Sequence, residues 1–410
     1  MIKSVRLGYI LICILILGTI LPDLYWKVFE KNIRAPFVLY SPVKKDFLFN
    51  RYENKTVKRV DSKGKSLTQK EMHKLAPIFF FRQLSVDGTL PDTLWGKALE
   101  PNLLKRHNQF IKISPRQIST PQMQLFPLFE SASGNINLSM PEDFFRINER
   151  VEFINCEKNV IDEPKSELFT KVLSEAGFNF PAEKMFGNPS ARKPFDEGYF
   201  ITDSKGKFFH LKMIKGKPFV RKIEIPSDVK IAYMEVYEHS IREFYGVVVS
   251  ESSKLYLLKY KNYELQKIPV ENYNYFKDNL QFRRNLLYRT FVITKENQID
   301  LVVTDTNYEI VDSYREQWED KFETAAGKIY SALFPFDITI FSGLSNYLQF
   351  NFVPSTGYLF IILHLILVVC YYIFRAKKKN NSDKLLECGI ILFTGIYGFT
   401  ALFVLKTETE

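Results

Sequence analysis

FITDSKGKFFHLKMIKGKPFVRKIEI, from Phe200 to Ile225, has a pattern of strands and turns that occurs twice more along the chain and indicates a β fold. The later copies are VVSESSKLYLLKYKNYELQKIPV, which starts at Val248, and VITKENQIDLVVTDTNYEIVDSY, which starts at Val292. Each copy reads as the end of an apolar strand, a polar turn, a β-rich strand, a second polar turn and a third strand. This recurrence indicates a repeated unit built from hairpins.

The spacing of the copies predicts the kind of sheet that they form. The equivalent positions Thr202, Ser250 and Thr294 are separated by intervals close to the ~45 residues of a four-stranded propeller blade. Inner strands are expected to precede the second and third copies, at 232–237 and 280–284. We therefore predict a mainly β protein with some α-helix, whose propeller-like blades cover residues 198–226, 231–270 and 279–315. The alternative is a meandering β-sheet with coincidental spacing.

The first half of the chain is less regular. Residues 37–67 resemble a further meander, in which the DSKGK turn at 61–65 repeats the turn at 203–207. The segment TQKEMHKLAPIFFFRQL predicts a helix that Pro77 breaks, with Thr68 and Glu71 in capping-box spacing. Residues 163–176 predict an amphipathic helix that Gly177 closes. These elements complete a predicted mostly-β domain over residues 23–323.

Apolar stretches at both ends of the chain predict three transmembrane helices. The run GYLFIILHLILVVCYYIF carries no formal charge and is long enough to cross a hydrocarbon core. The first stretch could instead be a cleaved signal peptide, but no Ala-x-Ala-like site follows it, which favours an uncleaved anchor. The expected spans are 7–22, 356–374 and 386–405.

The basic loop between the last two spans predicts the orientation. Lys and Arg in short loops resist export, so the loop 375–385 is expected in the cytoplasm because it carries Arg375, Lys377, Lys378, Lys379 and Lys384. The N-terminal residues 1–6 then lie in the cytoplasm, and the domain and the tail 406–410 lie outside. The aromatic segment 324–355 is expected either in the membrane interface or as a packed base under the domain.

The sequence contains no recognisable catalytic chemistry. A net charge of +10 gives no basic stripe, because basic and acidic residues interleave outside the loop 375–385, and nucleic-acid binding is not indicated. P-loop, GxSxG, HExxH and paired CxxC motifs are absent, and the histidines lack metal-ligand spacing. No catalytic residue, cofactor or metal ligand is therefore predicted. Cys156 has no nearby His in the sequence and is expected to be a buried inert thiol rather than a nucleophile.

Two polar segments are candidates for an interaction surface on loops of the domain. The segment RQLSVDGTLPDTLWG contributes Arg82, Asp87, Asp92 and Trp95, and the segment NPSARKPFDEGYF contributes Arg192, Asp196 and Glu197. The alternative for both is ordinary turn chemistry with salt bridges. In the second predicted span, His364 is an intramembrane polar residue, expected to bond to Thr394, Tyr397 or Thr400 of the neighbouring helix rather than to carry protons.

The motifs LPDLYW, APIFFFRQLSVDGTLPD, LFPLFES, MPEDFFRIN, NPSARKPFDEGYF and NLLYRTF resemble an uncharacterised family of bacterial membrane proteins, a domain of unknown function. The resemblance covers most of the chain. It implies accessory proteins encoded beside ATP-binding-cassette (ABC) transporters, without assigned catalytic residues. It places the chain in the bacterial inner membrane as a multi-pass protein.

Three functions fit these observations. The leading hypothesis is a non-enzymatic, membrane-anchored accessory or sensor protein, whose outer domain binds a ligand or partner and whose helices contact an ABC transporter permease. The alternative is an exported, membrane-tethered hydrolase of the cell envelope, and the third is a structural tether. The sequence leaves the ligand and the oligomeric state open.

Overall fold

The computed structural model describes residues 2–29, 35–53, 56–121, 123–132, 134, 138–341, 344, 347–355, 359–374 and 381–405. The chain forms two compact units. The β unit is Ala35–Glu316, and the helical unit combines Met1–Arg34 with Gln317–Glu410.

The helices and strands are numbered in chain order. The helices are α1 (Ile2–Phe29), α2 (Gln69–Leu75), α3 (Phe81–Val86), α4 (Pro101–His107), α5 (Pro115–Ile118), α6 (Glu163–Glu175), α7 (Ala325–Leu333), α8 (Leu359–Phe374), α9 (Asn381–Thr394) and α10 (Ile396–Val404). The strands are β1 (Phe37–Ser41), β2 (Asp46–Glu53), β3 (Thr56–Asp61), β4 (Thr93–Leu94), β5 (Lys97–Ala98), β6 (Gln109–Ile113), β7 (Phe126–Pro127), β8 (Asp143–Ile147), β9 (Val151–Asn155), β10 (Ala182–Gly187), β11 (Tyr199–Asp203), β12 (Phe208–Ile214), β13 (Lys217–Ile223), β14 (Ile231–Val236), β15 (Phe244–Ser250), β16 (Leu255–Lys259), β17 (Leu265–Lys267), β18 (Asn279–Arg284), β19 (Arg289–Thr294), β20 (Gln298–Thr304), β21 (Ile310–Gln317), β22 (Phe336–Phe341) and β23 (Leu348–Pro354).

The β unit consists of small antiparallel sheets, which confirms the prediction of a mainly β protein. Sheet 1 is β1–β3, sheet 2 is β7–β9, sheet 3 is β10–β13, sheet 4 is β14–β17, and sheet 5 has the order β21-β20-β19-β18-β6. The repeat positions Thr202, Ser250 and Thr294 lie at or next to the ends of β11, β15 and β19, which belong to sheets 3, 4 and 5. The three copies in the sequence therefore correspond to three sheets, as their shared plan indicates.

Two features of these sheets differ from the prediction. Sheet 3 begins with β10 at Ala182, well before the predicted start at 198. The sequence does not reveal this strand, because its segment AEKMFG buries only Met185 and Phe186 fully and so lacks a clear alternation of buried and exposed residues. Sheet 5 gains a fifth strand from the first half of the chain, where Ile113 pairs with Leu280. Such a pairing joins segments that are distant in sequence, and no local pattern announces it.

Sheets 2 to 5 pack in series through three hydrophobic clusters. One cluster joins sheet 2 and α6 to sheet 3, through residues such as Phe153, Phe169 and Phe209. The second joins sheets 3 and 4, and the third joins sheets 4 and 5. Sheet 1 lies beside sheet 5, since Arg283 of β18 donates to the backbone oxygen of Val38 at 2.6 Å. Each buried sheet face removes apolar area from water, which favours this stacking.

The predicted helices of the β unit are present. Thr68 and Glu71 form the capping box of α2, and the chain leaves the helix before Pro77 and resumes helical structure at α3. α6 ends where Gly177 takes a positive φ of 81°. The segment 82–96 is expected to be a loop, and Asp87 and Asp92 do lie in the connection between α3 and β4. Arg82 lies in α3 and Trp95 in the turn of the β4–β5 hairpin, so the loop is shorter than expected.

Aspartate turns recur along the β unit. The Oδ1 atom of Asp203 accepts hydrogen bonds from the backbone nitrogens of Lys205 and Lys207, and Asp61 receives the same pair of bonds from Lys63 and Lys65. The predicted repetition of the DSKGK turn is therefore confirmed. An Asp side chain that accepts from backbone N–H groups two and four residues ahead stabilises a tight turn.

The helical unit differs from the three spans that the sequence predicts. Among the described residues, one helix, Ser4–Phe29, is long and apolar enough to cross a membrane, and it lies near the N-terminus. The apolar helix Phe360–Phe374 is shorter. The predicted third span, 386–405, is divided between α9 and α10 at Gly395. Three membrane-crossing helices are therefore not supported.

The break at Gly395 lets the chain fold back. Arg6 of α1 donates to the carboxylate of Glu387 at 2.8 Å and also to the backbone oxygen of Leu405 at 3.2 Å. In a straight helix these two residues would be about 27 Å apart, beyond the reach of one guanidinium. Gly395 has a φ of 55°, and a Cβ atom there would lie 2.1 Å from Nε2 of His364, so this position requires glycine.

His364 and Thr394, the two predicted intramembrane polar residues, bond to backbone oxygens. Nδ1 of His364 lies 2.8 Å from the backbone oxygen of Leu392, and the Thr394 hydroxyl donates to the backbone oxygen of Ile390. The expected bond from His364 to Thr394, Tyr397 or Thr400 is therefore not formed. A helix carbonyl next to the break bonds Nδ1 of the imidazole instead, and the buried Nε2 has no hydrogen-bond partner among the described residues.

The segment 324–355 contains α7 and the β22–β23 hairpin. Tyr330 of α7 packs on the ring of Trp26 of α1 at 4.8 Å between centroids, so this segment contacts the first helix. Of the predicted topology residues, Lys384 lies in the first turn of α9. Arg375, Lys377, Lys378 and Lys379 lie outside the described residues.

The fold-back predicts the membrane side of the C-terminus. Because Leu405 lies beside Arg6 and only a short tail follows, a reporter fused after Glu410 should signal the same compartment as one inserted between Arg375 and Lys384. Five extended residues reach roughly 17 Å, which is less than a hydrocarbon core. Paired alkaline phosphatase and green fluorescent protein fusions measure this. Opposite signals from the two sites would contradict the fold-back and restore the predicted third span.

The aspartate turn of sheet 3 predicts a stability effect. Asp203 also accepts two bonds from Asn179 through Oδ2, so Asp203→Ala should lower the free energy of unfolding by roughly 2–4 kcal/mol. Burial raises the pKa of Asp203, but its hydrogen bonds outweigh burial and leave the pKa below its usual value. Its contribution is therefore present above the unfolded-state pKa and is lost as the pH falls through the folded-state pKa.

Urea unfolding from pH 3 to pH 7 checks this prediction. Asp305→Ala is the matched control, because Asp305 accepts two turn bonds only, from Asn307 and Glu309. The control should lose roughly 1 kcal/mol. Equal losses of unfolding free energy in Asp203→Ala and Asp305→Ala would contradict the stabilising role of the two bonds from Asn179 to Asp203.

Candidate functional site

Polar residues gather where the inner strands of sheets 3 and 4 end. β10 ends at Gly187 and leads into Asn188, and β14 ends at Val236 and leads into Glu238. The two strand ends and the segment 188–194 enclose a cavity of about 370 Å³, which we call the strand-end cavity. A cavity built on paired strands is held more rigidly than one built on loops alone.

A buried ion network closes one side of this cavity. Lys193 donates to Asp196 and to Oε1 of Glu238, the second bond at 2.9 Å, and their side chains are at most 2% exposed. Glu238 also accepts from the backbone nitrogen of Glu197 at 2.7 Å and from the Asn188 amide at 3.1 Å. The oxygens of Glu238 therefore receive three donors, and burial of these charges is tolerated because each is paired.

The network holds more carboxylates than its ammonium can neutralise. Burial raises the pKa of Glu238 to about 7, although Lys193 opposes the shift. Burial also raises the pKa of Asp196. Two carboxyl groups that share one buried cation retain a proton more readily than isolated groups.

Glycine allows the segment 196–198 to turn inward. Gly198 has a φ of 66°, and a Cβ atom there would lie 2.2 Å from the backbone oxygen of Leu211. Its backbone nitrogen donates to Asp196 at 2.9 Å, and the next carboxylate, Glu197, bonds to Lys212 at 3.0 Å. The backbone oxygen of Glu197 lies against the buried His210, whose pKa burial lowers to about 3, so that its imidazole is neutral.

A second ion network joins sheets 4 and 5. Glu243 of the β14–β15 connection accepts from Nε of Arg284 at 2.6 Å and from Arg289 at 2.9 and 3.1 Å, and the Tyr308 hydroxyl also donates to it. Burial alone would raise the pKa of Glu243, but Arg289, Tyr308 and Arg284 together lower it. The carboxylate is therefore charged at neutral pH and fixes both guanidinium groups.

The structure separates the two segments predicted as an interaction surface. Asp87, Asp92 and Trp95 are exposed, and Trp95 is 52% exposed beneath the ammonium of Lys45. In the other segment Arg192 is exposed at the strand-end cavity. Among these described residues, no hydrogen bond or ion pair joins one segment to the other.

Two of the predicted surface residues are buried. Asp196 and Glu197 are 2% and 3% exposed, so the expectation that they belong to a surface is wrong. Their charges are matched by Lys193 and Lys212, which lets both pack inside. Cys156, expected to be buried, is exposed.

Sequence reasoning missed the residues that organise this region. Lys193 belongs to the candidate segment NPSARKPFDEGYF. Both candidate segments leave out Glu238, Glu243, Arg284 and Arg289. Two sequence features point to these residues. One is the charged run EVYEHSIRE, which begins at the end of β14, and the other is the pair of arginines that ends β18. In the described part of the chain, no group of three or more His, Cys, Asp or Glu could hold a metal ion.

Comparison with known proteins gives the family. Residues 37–304 match the family described as Domain of unknown function (DUF4857). The chain belongs to this family. None of the curated proteins compared with the chain matches it.

The family region coincides with the β unit. It begins at the first residue of β1 and ends at the last residue of β20, so it contains sheets 1 to 4 and all of sheet 5 except β21. Both ion networks and the strand-end cavity lie within it apart from Tyr308. The sequence motifs resemble an uncharacterised family, and the match to a domain of unknown function agrees with that resemblance.

The pKa of Glu238 predicts a pH dependence of stability. A carboxyl group whose folded-state pKa is raised stabilises the fold fully below its unfolded-state pKa, and this contribution is lost as the pH rises to about 7. The free energy of unfolding of the wild type should therefore decrease by up to roughly 3 kcal/mol between pH 4.5 and pH 7 because of Glu238, and Glu238→Gln should remove this decrease. Thermal unfolding across this range measures it. Glu264→Gln, which changes an exposed carboxylate, should leave the profile intact, and an unchanged profile in both variants would contradict the assignment.

Proposed function

We propose that the protein is a membrane-anchored recognition protein, whose β unit binds a ligand or partner outside the cytoplasm. The observation that carries this proposal is the engagement of two carboxylates, Glu238 and Glu243, in structural bonds. Glu238 receives three donors, and Glu243 binds two arginines and a tyrosine. Groups that are engaged in this way support a scaffold, and the cavities beside them are available for recognition.

The anchoring part of the proposal is supported by α1. The span Ser4–Phe29 is apolar and is only 17% buried in the chain itself, which suits a lipid-facing helix. α1 precedes β1 in the chain, so a membrane-spanning α1 with its N-terminus in the cytoplasm would carry the β unit outside. The basic loop 375–385 supports the same orientation, and we propose the bacterial inner membrane as the location.

The organisation of the β unit supports a recognition role. Sheets 3, 4 and 5 each contain four consecutive antiparallel strands and stack face to face, and we propose that they are blades of a propeller-like domain. The strand-end cavity lies where β10 and β14, the first strands of sheets 3 and 4, end, and rigid strands of this kind support a precise binding site.

The proposed partner is the permease of an ABC transporter. The support is the family resemblance of the sequence motifs, which implies accessory proteins of such transporters. Membrane attachment would place the helical unit and a permease in the same bilayer.

Purification of the tagged chain at native expression in mild detergent tests this function. The expected result is recovery of a transporter subunit, identified by mass spectrometry. Arg192→Glu, which reverses an exposed charge at the strand-end cavity, should reduce recovery several-fold. Lys171→Glu, on the 73% exposed side chain of α6, is the matched control and should leave recovery unchanged. Absence of every transporter subunit would count against the proposal.

The second candidate, an envelope hydrolase, is favoured by one observation. Glu235 and Glu238 both line the strand-end cavity, and burial raises the pKa of each, a condition that suits a general acid. Incubation of the purified full chain with labelled peptidoglycan tests this alternative. Release of soluble fragments by the wild type, abolished in Glu235→Gln, would replace the recognition proposal.

A further inference from the structure

The β22–β23 hairpin of the helical unit has one apolar face. Alternate residues of a strand point to the same side of a sheet, and residues paired across antiparallel strands share that side. Ile338 pairs with Phe352, so one face of the hairpin carries Phe336, Ile338, Leu348, Phe350 and Phe352. We call this face the apolar hairpin face.

The opposite face of the hairpin is mostly polar. Asp337 and Thr339 of β22 lie on it, opposite Val353 and Asn351 of β23. The carboxylate of Asp337 accepts from the hydroxyl of Tyr330 in α7 at 3.0 Å. The hairpin is therefore amphipathic, as expected of strands that have an apolar phase on one side and water on the other.

β22 is fixed against two helices of the same unit. The rings of Phe336 and Tyr397 of α10 lie 5.0 Å apart between centroids, and the Tyr397 hydroxyl donates to the backbone oxygen of Phe336 at 2.7 Å. On α1, a Cβ atom at Gly18 would lie 2.9 Å from Cε2 of Phe336 and 3.4 Å from Cδ1 of Ile338, so the hairpin contacts this glycine closely. The β22 half of the apolar hairpin face is thus partly covered by protein.

The β23 half of the apolar hairpin face is bare. Phe350 is 71% exposed, Phe352 is 63% exposed, and Leu348 is exposed as well. Leu15, which precedes Gly18 by about one turn of α1 and so lies on a neighbouring part of its surface, is also exposed. The bare half of the hairpin face and this flank of α1 therefore both border the contact at Gly18. Contiguous exposed apolar surface marks contact with a membrane or a partner.

The position of the contact along α1 indicates the surface of a bilayer rather than its centre. Gly18 lies about one helical turn before Pro22, the end of the apolar run 7–22. Trp26 follows about one turn later, and the ammonium of Lys321 lies 5.6 Å from the centre of its ring. Tryptophan is enriched where a membrane meets water, and lysine extends its charge into the headgroup layer there.

We propose that the apolar hairpin face inserts into the membrane interface beside α1, with a phospholipid bilayer covering its bare half. This inference rests on the membrane attachment proposed above, because the bare half of the face adjoins the flank of α1 that would contact lipid. Phe350 and Phe352 contact acyl chains below the headgroups, whereas Asn351 on the other face stays in water. The strand edges of a two-stranded hairpin keep unpaired backbone groups that need water, which holds the hairpin at the interface.

Insertion of the hairpin gives the helical unit a second membrane contact. A single spanning helix is free to rotate about its own axis in the bilayer. Aromatic residues that lie in the interface beside the helix restrict this rotation and set the depth of the helix. The hairpin therefore orients the helical unit in the plane of the membrane.

Tryptophan fluorescence in vesicles tests the contact. The full chain is reconstituted in vesicles of palmitoyl-oleoyl phosphatidylcholine and in matched vesicles whose lipid is brominated in the upper part of one acyl chain, which quenches tryptophan on contact. The fluorescence that Phe350→Trp adds to the wild type should fall at least twofold in the brominated vesicles. Asn351→Trp is the matched control, because Asn351 is the exposed neighbour on the other face, and its added fluorescence should change little.

A third variant, Leu15→Trp, separates this inference from the membrane attachment. Quenching of Leu15→Trp without quenching of Phe350→Trp would overturn insertion of the hairpin and assign its bare half to a protein surface, while α1 remained an anchor. Absence of quenching in both would overturn the attachment as well. Equal quenching of Phe350→Trp and Asn351→Trp would overturn the amphipathic placement. Phe352→Trp repeats the test if Phe350→Trp fails to fold, and thermal unfolding verifies that each variant is folded.

Discussion

The connection between β14 and β15, residues 237–243, is the constraint on which the β unit depends. Glu238 binds the connection between β10 and β11 of sheet 3, and Glu243 binds two arginines of sheet 5. His239 lies 2.6 Å from the side-chain amide of Gln109 in β6. Hydrophobic packing between sheets is not directional, so it does not fix how one sheet is positioned against the next. Buried ion pairs do fix this, because loss of one partner of such a pair costs about 3–5 kcal/mol.

The same constraint shapes the strand-end cavity. Glu238 and Lys193 line this cavity, and their bond links the end of β14 to the connection that follows β10. Glu243 engages Arg284 and Arg289 on the face of sheet 5 that packs against sheet 4. The walls of the cavity and the cohesion of the sheets therefore rely on the same short connection, residues 237–243.

The helical unit depends on a similar device. Arg6 binds Glu387 and the end of α10, and Gly395 supplies the backbone conformation that returns the chain to Arg6. An apolar run of the right length is thus not sufficient evidence for a spanning helix, because a single glycine with a positive φ divides it. The consequence is a different expected side for the C-terminus, while the character of the first helix as a candidate anchor is unaffected.

The mainly β class, the three hairpin-built sheets, the capping box of α2, the aspartate turns and the family resemblance can all be predicted from the amino-acid sequence. These features follow from local patterns, in which a periodicity or turn residue acts on its immediate neighbours. The pairing of β6 with β18, the burial of Asp196 and Glu197, the fold-back at Gly395 and the strand-end cavity are visible in the folded chain alone. Each of these depends on contacts between residues that are distant in sequence, such as Lys193 with Glu238 or Arg6 with Leu405. A charged residue reads as a surface residue until its partner is known, because the energy of burying a charge is set by that partner and not by the residue itself.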